Sequence, residues 1–372
     1  MNGKIPVAHI FLTLNIGGME KVGIDLIDNL DSDVYENHVI CLKELGILGE
    51  QYKKRAANVV SLDCEGGLYS SIIFKLAEYF RSNHIQIVHT NNSGPHFWGG
   101  LAALYCGIKA RVHTNHGRNF DWPARRILLD RFSSLLSSQV VCVSQDSADK
   151  LSKSDKINPR KLSVIPNGID TTHFSPGERN QTLLDSMGVP SDCSVIGSIA
   201  RFSTDKDQET LIRAFSALLE EGLLRARLVL VGDGETREGL EALVRKLGVE
   251  DRVLFTGFRS DILDVLRSLD IYVLPSHTEG LSISLLEAMS TGCRVVASAV
   301  GGNVEIVSEK ISGLLVEDRD VSGMAIALSS ILNDCEFGNS LAEAARESVR
   351  ERYSIQAMAG QYQDLYTRVY SG

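Results

Sequence analysis

The chain of 372 residues contains seven cysteines, but no two of them form a C-x-x-C pair. Closely spaced pairs are typical of zinc sites and redox motifs, which this pattern therefore argues against. Scattered cysteines in an odd number predict reduced, mostly buried thiols in a reducing compartment. No stretch approaches the ~18 consecutive apolar residues of a membrane span, and no basic segment with a secretory core opens the sequence. We therefore expect a globular cytoplasmic protein.

Two familiar phosphate-binding fingerprints are also missing. The sequence contains neither the P-loop pattern G-x-x-x-x-G-K-[ST] nor the dinucleotide pattern G-x-G-x-x-G. Gly17 and Gly18 instead follow the first apolar run and open a segment of helical periodicity. Backbone N–H groups and the helix dipole at such a point can hold a phosphate or a sugar. A plain tight turn explains the glycine pair equally well.

Negative charge is concentrated in the second half of the chain. The net charge is −9, with +2 on residues 1–170 and −11 on residues 171–372. This balance argues against nucleic acid as a partner of the whole chain, while the first half could rest against an anionic surface. Residues 118–131 combine four arginines with Phe120 and Trp122, a composition compatible with contact to a membrane surface or an anionic acceptor. A solvated amphipathic helix is our preferred interpretation of this segment.

Short apolar runs alternate with helical patterns along the whole chain, which predicts an α/β fold with parallel sheets. A prior of about 150 residues per domain suggests two domains. The composition changes after Asp170, where a connector containing Pro176 and Gly177 precedes a renewed alternation of strands and helices. We place the N-terminal domain at residues 1–170. Residues 339–370 are predicted to be helical.

The strongest candidates for chemistry lie in the second half. Arg201 and Lys206 are five residues apart in a predicted strand-to-helix loop, where both cations can converge on one diphosphate. Glu279 follows the predicted strand 271–275, and Glu287 lies in the first turns of the next helix. Ser284-x-x-Glu287 also fits a capping box, in which Glu287 only satisfies a backbone donor. The local sequence leaves both roles of Glu287 open.

Weaker signals accompany these four residues. Gly301 and Gly302 follow another predicted strand and would let a ligand approach the backbone closely. Gly232 opens a G-D-G turn that is too short to identify a dinucleotide site. Phe258 suits contact with a nucleotide base or core packing, and His116 suits catalysis or a structural role.

Taken in order, these segments resemble the family 4 glycosyltransferases, retaining enzymes of the two-domain GT-B fold. The resemblance covers nearly the whole chain and implies two Rossmann-like domains whose parallel sheets face across a cleft. It also implies that a C-terminal helix, residues 354–372, packs back on the N-terminal domain, which leaves 171–353 for the C-terminal domain. The motifs that carry it are Gly17-Gly18-x-Glu20, His116-Gly117, V-I-P-N-G-I-D at 164–170, Arg201 with Lys206, Gly232-x-Gly234, Gly257-Phe258, Glu279-x7-Glu287 and Gly301-Gly302-x-x-Glu305.

The resemblance implies a nucleotide-sugar donor, with UDP favoured over GDP, bound mainly by the C-terminal domain. A glycan or polyprenyl-linked glycan acceptor would approach from the N-terminal domain. No metal and no cofactor are implied, and no carboxylate pair suits Mg²⁺. The implied catalytic residues are His116 facing the reacting sugar, Glu279 at the donor sugar, and Arg201 and Lys206 at the diphosphate. Donor binding would add Gly17 and Gly18 beside the phosphates, Glu287 at the ribose, the backbone around Gly280, Leu281 and Ser282, and Gly232, Phe258 and Arg259.

These expectations describe a metal-independent, retaining hexosyltransferase of class EC 2.4 that acts in bacterial exopolysaccharide or cell-envelope polysaccharide synthesis. The segments H-I-F-L-T-L-N-I-G-G-M-E and V-H-T-N-H-G-R further resemble transferases of exopolysaccharide operons associated with the PEP-CTERM/exosortase system. Ser282 departs from the Pro or Gly that the family often has at this position. A nucleotide-sugar epimerase of the same fold and a non-catalytic nucleotide-sugar-binding scaffold are the alternatives. Peripheral contact with the cytoplasmic face of the membrane is compatible with all three.

Overall fold

A computed structural model describes residues 3–15, 17–56, 58–64, 69–117, 124–222 and 225–372, without the side chains of residues 69, 70, 124 and 126. The chain divides into two compact units. The first unit comprises Met1–Gly168 and Ile355–Gly372, and the second comprises Ile169–Ser354. The predicted boundary after Asp170 lies within two residues of this division. Among the described residues, no helix combines the length and the apolar character needed to cross a bilayer.

The first unit contains a seven-stranded, fully parallel sheet in the order β3-β2-β1-β4-β5-β6-β7. Its central strands are almost entirely buried, as expected for a parallel sheet whose two faces are covered by helices. The strands are β1 (Ile5–Phe11), β2 (Tyr35–Cys41), β3 (Val59–Ser61), β4 (Ile87–Asn91), β5 (Ala110–Asn115), β6 (Gln139–Cys142) and β7 (Leu162–Val164). The helices are α1 (Gly18–Asn29), α2 (Gly46–Lys53), α3 (Tyr69–Ser82), α4 (Ser93–Tyr105), α5 (Ala124–Leu136), α6 (Gln145–Lys153) and the last helix of the chain, α15 (Ile355–Ser371).

The second unit repeats this architecture with a six-stranded parallel sheet in the order β10-β9-β8-β11-β12-β13. One large apolar core covers a face of this sheet beneath helices α8, α9 and α13. The strands are β8 (Ser194–Ile199), β9 (Ala226–Val231), β10 (Val253–Gly257), β11 (Ile271–Leu274), β12 (Arg294–Ser298) and β13 (Leu314–Val316). The helices are α7 (Gln181–Ser186), α8 (Gln208–Glu220), α9 (Arg237–Leu247), α10 (Ile262–Ser268), α11 (Ile283–Thr291), α12 (Asn303–Ile306), α13 (Val321–Asn333) and α14 (Cys335–Arg352).

Strand order reverses beside the first strand of each sheet. In the first unit β1 lies between β2 and β4, and in the second unit β8 lies between β9 and β11. Loops that leave the two strands at such a reversal diverge, and in open α/β sheets ligands bind there, outside the carboxyl ends of the strands. The loops after β1 and β4, and those after β8 and β11, are therefore the places to look for a site.

Helix α15 belongs to the first unit because two of its tyrosines are buried against that sheet. The Tyr366 hydroxyl lies 2.6 Å from His89 Nδ1, and the Tyr362 hydroxyl lies 2.8 Å from Thr114 Oγ1. Burial raises the pKa of both phenols, so they remain neutral hydrogen-bonding groups. The periodic tyrosines of the tail thus act as core residues.

The predicted strand 271–275 corresponds to β11, and the C-terminal helix predicted at 354–372 corresponds to α15. The predicted helical segment 339–370 is helical except at Tyr353 and Ser354, which separate α14 from α15. Strand β13 and helices α10, α12 and α13 were not predicted.

Candidate functional site

A buried ion pair joins the two loops at the reversal point of the second unit. Lys206, in the loop after β8, donates a hydrogen bond of 2.6 Å from Nζ to Oε1 of Glu279, in the loop after β11. The Glu279 side chain is only 8% exposed, and Ser276 Oγ donates to the same carboxylate oxygen at 2.8 Å. A buried carboxylate needs such partners to remain charged at acceptable cost. The fold therefore brings together two of the predicted site residues, with opposite charges in direct contact.

Arg201 lies in the same loop as Lys206 but is held loosely. Its guanidinium is 3.7 Å from Asp205 and 3.4 Å from Ser203 Oγ, and its side chain is 65% exposed. An exposed ion pair at this distance contributes little to stability. Arg201 is accordingly available to turn toward an anion, as the predicted diphosphate role requires.

The interpretation of Gly301 and Gly302 as ligand-approach positions is not supported by the geometry. A Cβ atom on Gly301 would lie 1.9 Å from the Glu279 carbonyl oxygen, and one on Gly302 would lie 2.1 Å from the Gly280 carbonyl oxygen. Gly302 also donates a backbone hydrogen bond of 3.3 Å to Glu279. The missing side chains therefore make room for protein backbone, which supports the loop that carries Glu279.

The capping box predicted at Ser284 and Glu287 is wrong. Helix α11 begins at Ile283, and its N-cap is Ser282, whose hydroxyl accepts a 3.3 Å hydrogen bond from the Leu285 backbone. Glu287 lies beyond the first turn, too far along the helix to serve as the reciprocal residue of a capping box. Glu287 is nevertheless buried. Capping therefore does not explain why this carboxylate is buried.

The remaining predicted donor residues of the second unit flank the same sheet edge. Gly232 packs its backbone on Ala200, so a side chain there would clash with the Ala200 carbonyl oxygen at 2.0 Å. Phe258 is 80% exposed, which contradicts the core-packing interpretation and leaves its ring free for a ligand. Arg259 forms a two-pronged hydrogen bond with Asp261 that raises its own pKa and lowers that of the carboxyl group.

In the first unit, His116 follows β5 and lies beside the loop after β4. Its Nε2 is 3.1 Å from Asn91 Oδ1, and burial lowers the pKa of the imidazole to about 4. The ring is therefore neutral at pH 7 and donates from Nε2 to the amide oxygen. Nδ1 is then an acceptor, and it has no hydrogen-bond partner among the described residues. Such a nitrogen can accept a hydrogen bond from a sugar hydroxyl.

A carboxylate lies beside the glycine pair at the start of α1, where the sequence predicts a phosphate or a sugar. Gly17 is the N-cap in extended conformation and makes no side-chain cap, and a Cβ atom there would lie 2.4 Å from Glu20 Oε2. Burial raises the pKa of Glu20. A carboxylate therefore already lies over the helix end, and a phosphate beside Gly17 and Gly18 would have to displace or protonate it.

Comparison with known proteins decides the family. Residues 16–173 match the Glycosyltransferase Family 4 model, and residues 181–348 match the Glycosyl transferases group 1 model. A D-inositol 3-phosphate glycosyltransferase of Actinosynnema mirum is 31% identical over 76% of this chain and 74% of its own length. The chain belongs to the family 4 glycosyltransferases.

Two further similarities cover almost the whole glycosyltransferase chain. The UDP-Gal:α-D-GlcNAc-diphosphoundecaprenol α-1,3-galactosyltransferase of Escherichia coli is 27% identical over 98% of this chain and 97% of its own length. The crystal structure of Anabaena HepE with UDP and glucose superimposes with a TM-score of 0.87 at 20% identity, over 98% of this chain and 100% of that one. The second similarity confirms the GT-B fold class, with two Rossmann-like parallel-sheet domains.

Sequence reasoning missed two residues that support the glycosyltransferase site. Ser276 is completely buried and bonded to Glu279, and His277 connects three loops of the second unit. Ser276 could have been recognised from its place at the end of a predicted strand, three residues before the carboxylate. The partners of His277 lie about 40 and 70 residues away in sequence, so no local pattern announces them.

Proposed function

We propose that this glycosyltransferase moves a hexose from a UDP-sugar to a glycan or polyprenyl-linked glycan in exopolysaccharide or cell-envelope polysaccharide synthesis. The Lys206–Glu279 pair at the reversal point of the second unit is the observation that carries the proposal. It offers one cation and one hydrogen-bond acceptor side by side, the two groups that a sugar diphosphate requires. The E. coli relative, which by its name uses UDP-Gal and a diphosphoundecaprenol acceptor, and HepE, solved with UDP, support this choice of substrates.

Donor binding changes the partners of the buried ion pair. We assign the diphosphate to Lys206 and to Arg201, which is free to turn, and the hydroxyls of the donor sugar to Glu279. Glu287, released from the capping role, is assigned to the ribose, and Phe258 to the base. The backbone of Gly280 to Ser282 at the start of α11 adds N–H donors and the positive end of the helix dipole.

Retention of configuration follows from attack on the face that the diphosphate leaves. In this step the bond between the anomeric carbon and the phosphate oxygen breaks, and the acceptor oxygen forms the new bond on the same face. The acceptor proton passes to an oxygen of the departing UDP, whose growing negative charge is stabilised by fixed cations and dipoles. No metal is required in this scheme. His116, neutral and with Nδ1 as acceptor, is assigned to a hydroxyl of the reacting sugar.

A transfer assay tests the proposal. Purified protein is incubated without added metal with UDP-glucose, UDP-galactose, their N-acetyl forms and GDP-mannose, together with polyprenyl-diphosphate-linked sugars. Transfer from one donor, with the axial anomer retained in the product by NMR, supports the proposal. Epimerised donor without acceptor would favour the epimerase, and tight nucleotide binding without turnover in any combination would favour the scaffold. A glycosyl-enzyme intermediate on a carboxylate would rule out the same-face mechanism.

Helix α5 supports a membrane-associated acceptor, because it exposes apolar side chains to solvent and buries polar ones. Its exposed face carries Leu128, Phe132 and Leu135 at i, i+4 and i+7, and its buried residues include Ser133 and Ser134. This exposed apolar face favours surface contact over the preferred interpretation of a solvated amphipathic helix, for the described part of the segment. Residues 118–123, which include Phe120 and Trp122, lie outside the described residues.

The charges of α5 favour an anionic lipid surface as its partner. Arg125 and Arg131 are exposed beside the apolar residues, whereas Asp130, the only carboxylate in the sequence of α5, is buried. Apolar insertion combined with about 1 kcal/mol per basic residue near anionic headgroups is typical of helices that lie in the membrane interface. We therefore propose peripheral contact with the cytoplasmic face of the membrane.

Vesicle sedimentation tests this contact. Binding to vesicles with phosphatidylglycerol should exceed binding to pure phosphatidylcholine and should fall with salt. Leu135→Asp should abolish it, while Phe74→Asp, at an exposed apolar position on α3, should leave it unchanged. Equal binding of both variants would contradict the assignment. The finer resemblance to exosortase-associated operons remains part of the proposal, and loss of exopolysaccharide after gene deletion tests it.

A further inference from the structure

His277 lies in the loop between β11 and α11 and contacts charged groups from two other loops. Its Nδ1 is 2.6 Å from Asp318 Oδ1, in the loop between β13 and α13. Its Nε2 is 3.2 Å from Arg319 Nε and 3.5 Å from Asp207 Oδ2, which belongs to the loop between β8 and α8. One imidazole therefore joins three loops at the carboxyl end of the second sheet.

The backbone around His277 strengthens this connection. The His277 backbone N–H donates a 2.9 Å hydrogen bond to the carbonyl oxygen of Asp205. Asp207 and Arg319 both adopt positive φ angles, 44° and 62°, which are uncommon for residues other than glycine. Such conformations persist where surrounding contacts enforce them. Asp207 is also fixed as the N-cap of α8 by bonds from Thr210.

The connected residues are sequence neighbours of the proposed donor-binding pair. Asp207 follows Lys206 directly, and His277 precedes Glu279 by two residues. Movement of the imidazole would therefore change the relative position of the ammonium and carboxylate groups. We propose that His277 is a positioning residue that aligns Lys206 and Glu279 for the donor diphosphate and sugar. This inference rests on the proposed function of that pair.

Asp207, His277 and Asp318 each offer one ligand atom, and these three atoms lie close enough together to hold a metal ion. The arrangement is nevertheless complete without an ion. Arg319 Nε lies within hydrogen-bond reach of the imidazole Nε2, and Nδ1 lies within reach of Asp318, so the ring already contacts a cation and an anion. A metal on Nε2 would have to displace the guanidinium group.

Calorimetric titration with UDP tests the proposal on the full chain. We expect His277→Ala and Asp318→Asn to raise the Kd of UDP about tenfold, which corresponds to about 1.4 kcal/mol. His277→Asn, whose side-chain amide can still donate to Asp318, should recover part of the affinity. His173→Ala changes an exposed histidine of the same unit and should leave the Kd unchanged. In a Lys206→Ala background, His277→Ala should change the Kd by less than about twofold, because the group to be aligned is gone.

The alternative outcomes separate the two levels of the argument. If the wild-type protein binds neither UDP nor the other nucleotides, the proposed function and this inference both fail. If the wild type binds UDP and the variants lose only thermal stability at unchanged Kd, the proposed function stands and the positioning role is refuted. If a chelator lowers the UDP affinity of the wild type but not that of His277→Ala, these residues form a metal centre, and the positioning role is refuted.

Discussion

Mild acid should destabilise the first unit selectively, because histidines are buried there in the neutral form. Burial lowers the pKa of His9 and His116 to about 4 and that of His96 to about 3, and it moves His89 and His113 in the same direction. Each histidine of the unfolded chain titrates near pH 6.5. Below this pH the unfolded chain therefore binds protons that the folded chain does not bind. The stabilising effect of these neutral rings is complete above about pH 6.5 and is lost as the pH falls toward the folded pKa values.

The magnitude follows from the three histidines with assigned values. Lowering the pH to about 5.5 costs about 1.4 kcal/mol per histidine, hence about 4 kcal/mol for His9, His96 and His116 together. For a unit of this size, that loss should lower the melting temperature by roughly 8 to 16 °C. Calorimetry between about pH 7.5 and 5.5 measures it. His173, one of the two histidines of the second unit, is exposed.

A variant separates the histidine effect from general acid sensitivity. His96 stacks on His113 with ring centroids 3.6 Å apart and bonds to Ser137. His96→Asn should lower the melting temperature at neutral pH but reduce the further loss at pH 5.5 by about 1.4 kcal/mol. His84→Asn, at an exposed position whose positive φ suits asparagine, should leave the pH dependence unchanged. The reasoning would be refuted if the melting temperature of the wild type did not depend on pH, or if it depended on pH equally in His96→Asn and His84→Asn.

Three further predictions concern the second unit. Lys206→Ala should lower kcat/KM at least about tenfold, because it removes charge stabilisation of the departing UDP, while Arg213→Ala, in an exposed helix pair, should change it little. Gly301→Ala should destabilise the unit by more than about 1 kcal/mol and weaken UDP binding, because the φ of Gly301 is +51° and a Cβ there would clash with the Glu279 carbonyl oxygen. Gly239→Ala in helix α9 is the control and should be neutral or stabilising. Thermal melting curves measure both effects. Ser282→Ala should cost about 1 kcal/mol of stability through the lost N-cap, measured by urea unfolding.

The sequence contains enough periodicity to predict the α/β class, the two parallel sheets and the residue types at the strand ends. Lys206 and Glu279 were predicted as site residues, but their contact depends on β8 and β11 being neighbours in the sheet, which periodicity does not show. What periodicity cannot show is which partner a side chain selects. The predicted capping box began at Ser284, whereas the N-cap is Ser282, because tertiary packing fixes where the preceding loop ends.

Glycine and leucine illustrate the same limit. A glycine that admits a ligand and a glycine that admits another backbone look alike in sequence, and only the position of the Glu279 carbonyl distinguishes them at Gly301. Helix α5 has the composition of an ordinary amphipathic helix, yet Leu135 is exposed and Ser134 is buried. Sequence pattern predicts that a helix has two faces, whereas packing determines which face is turned inward.

Binding of UDP by the wild-type protein and by Lys206→Ala tests the central claim most directly. UDP at 100 times its Kd should stabilise the wild-type protein by about 2.7 kcal/mol without added metal, a shift visible in a thermal melt. The same concentration should stabilise Lys206→Ala by clearly less, and GDP and ADP should give smaller shifts than UDP with the wild type. No shift with any nucleotide, or an equal shift in both proteins, would contradict the assignment of the donor diphosphate to Lys206.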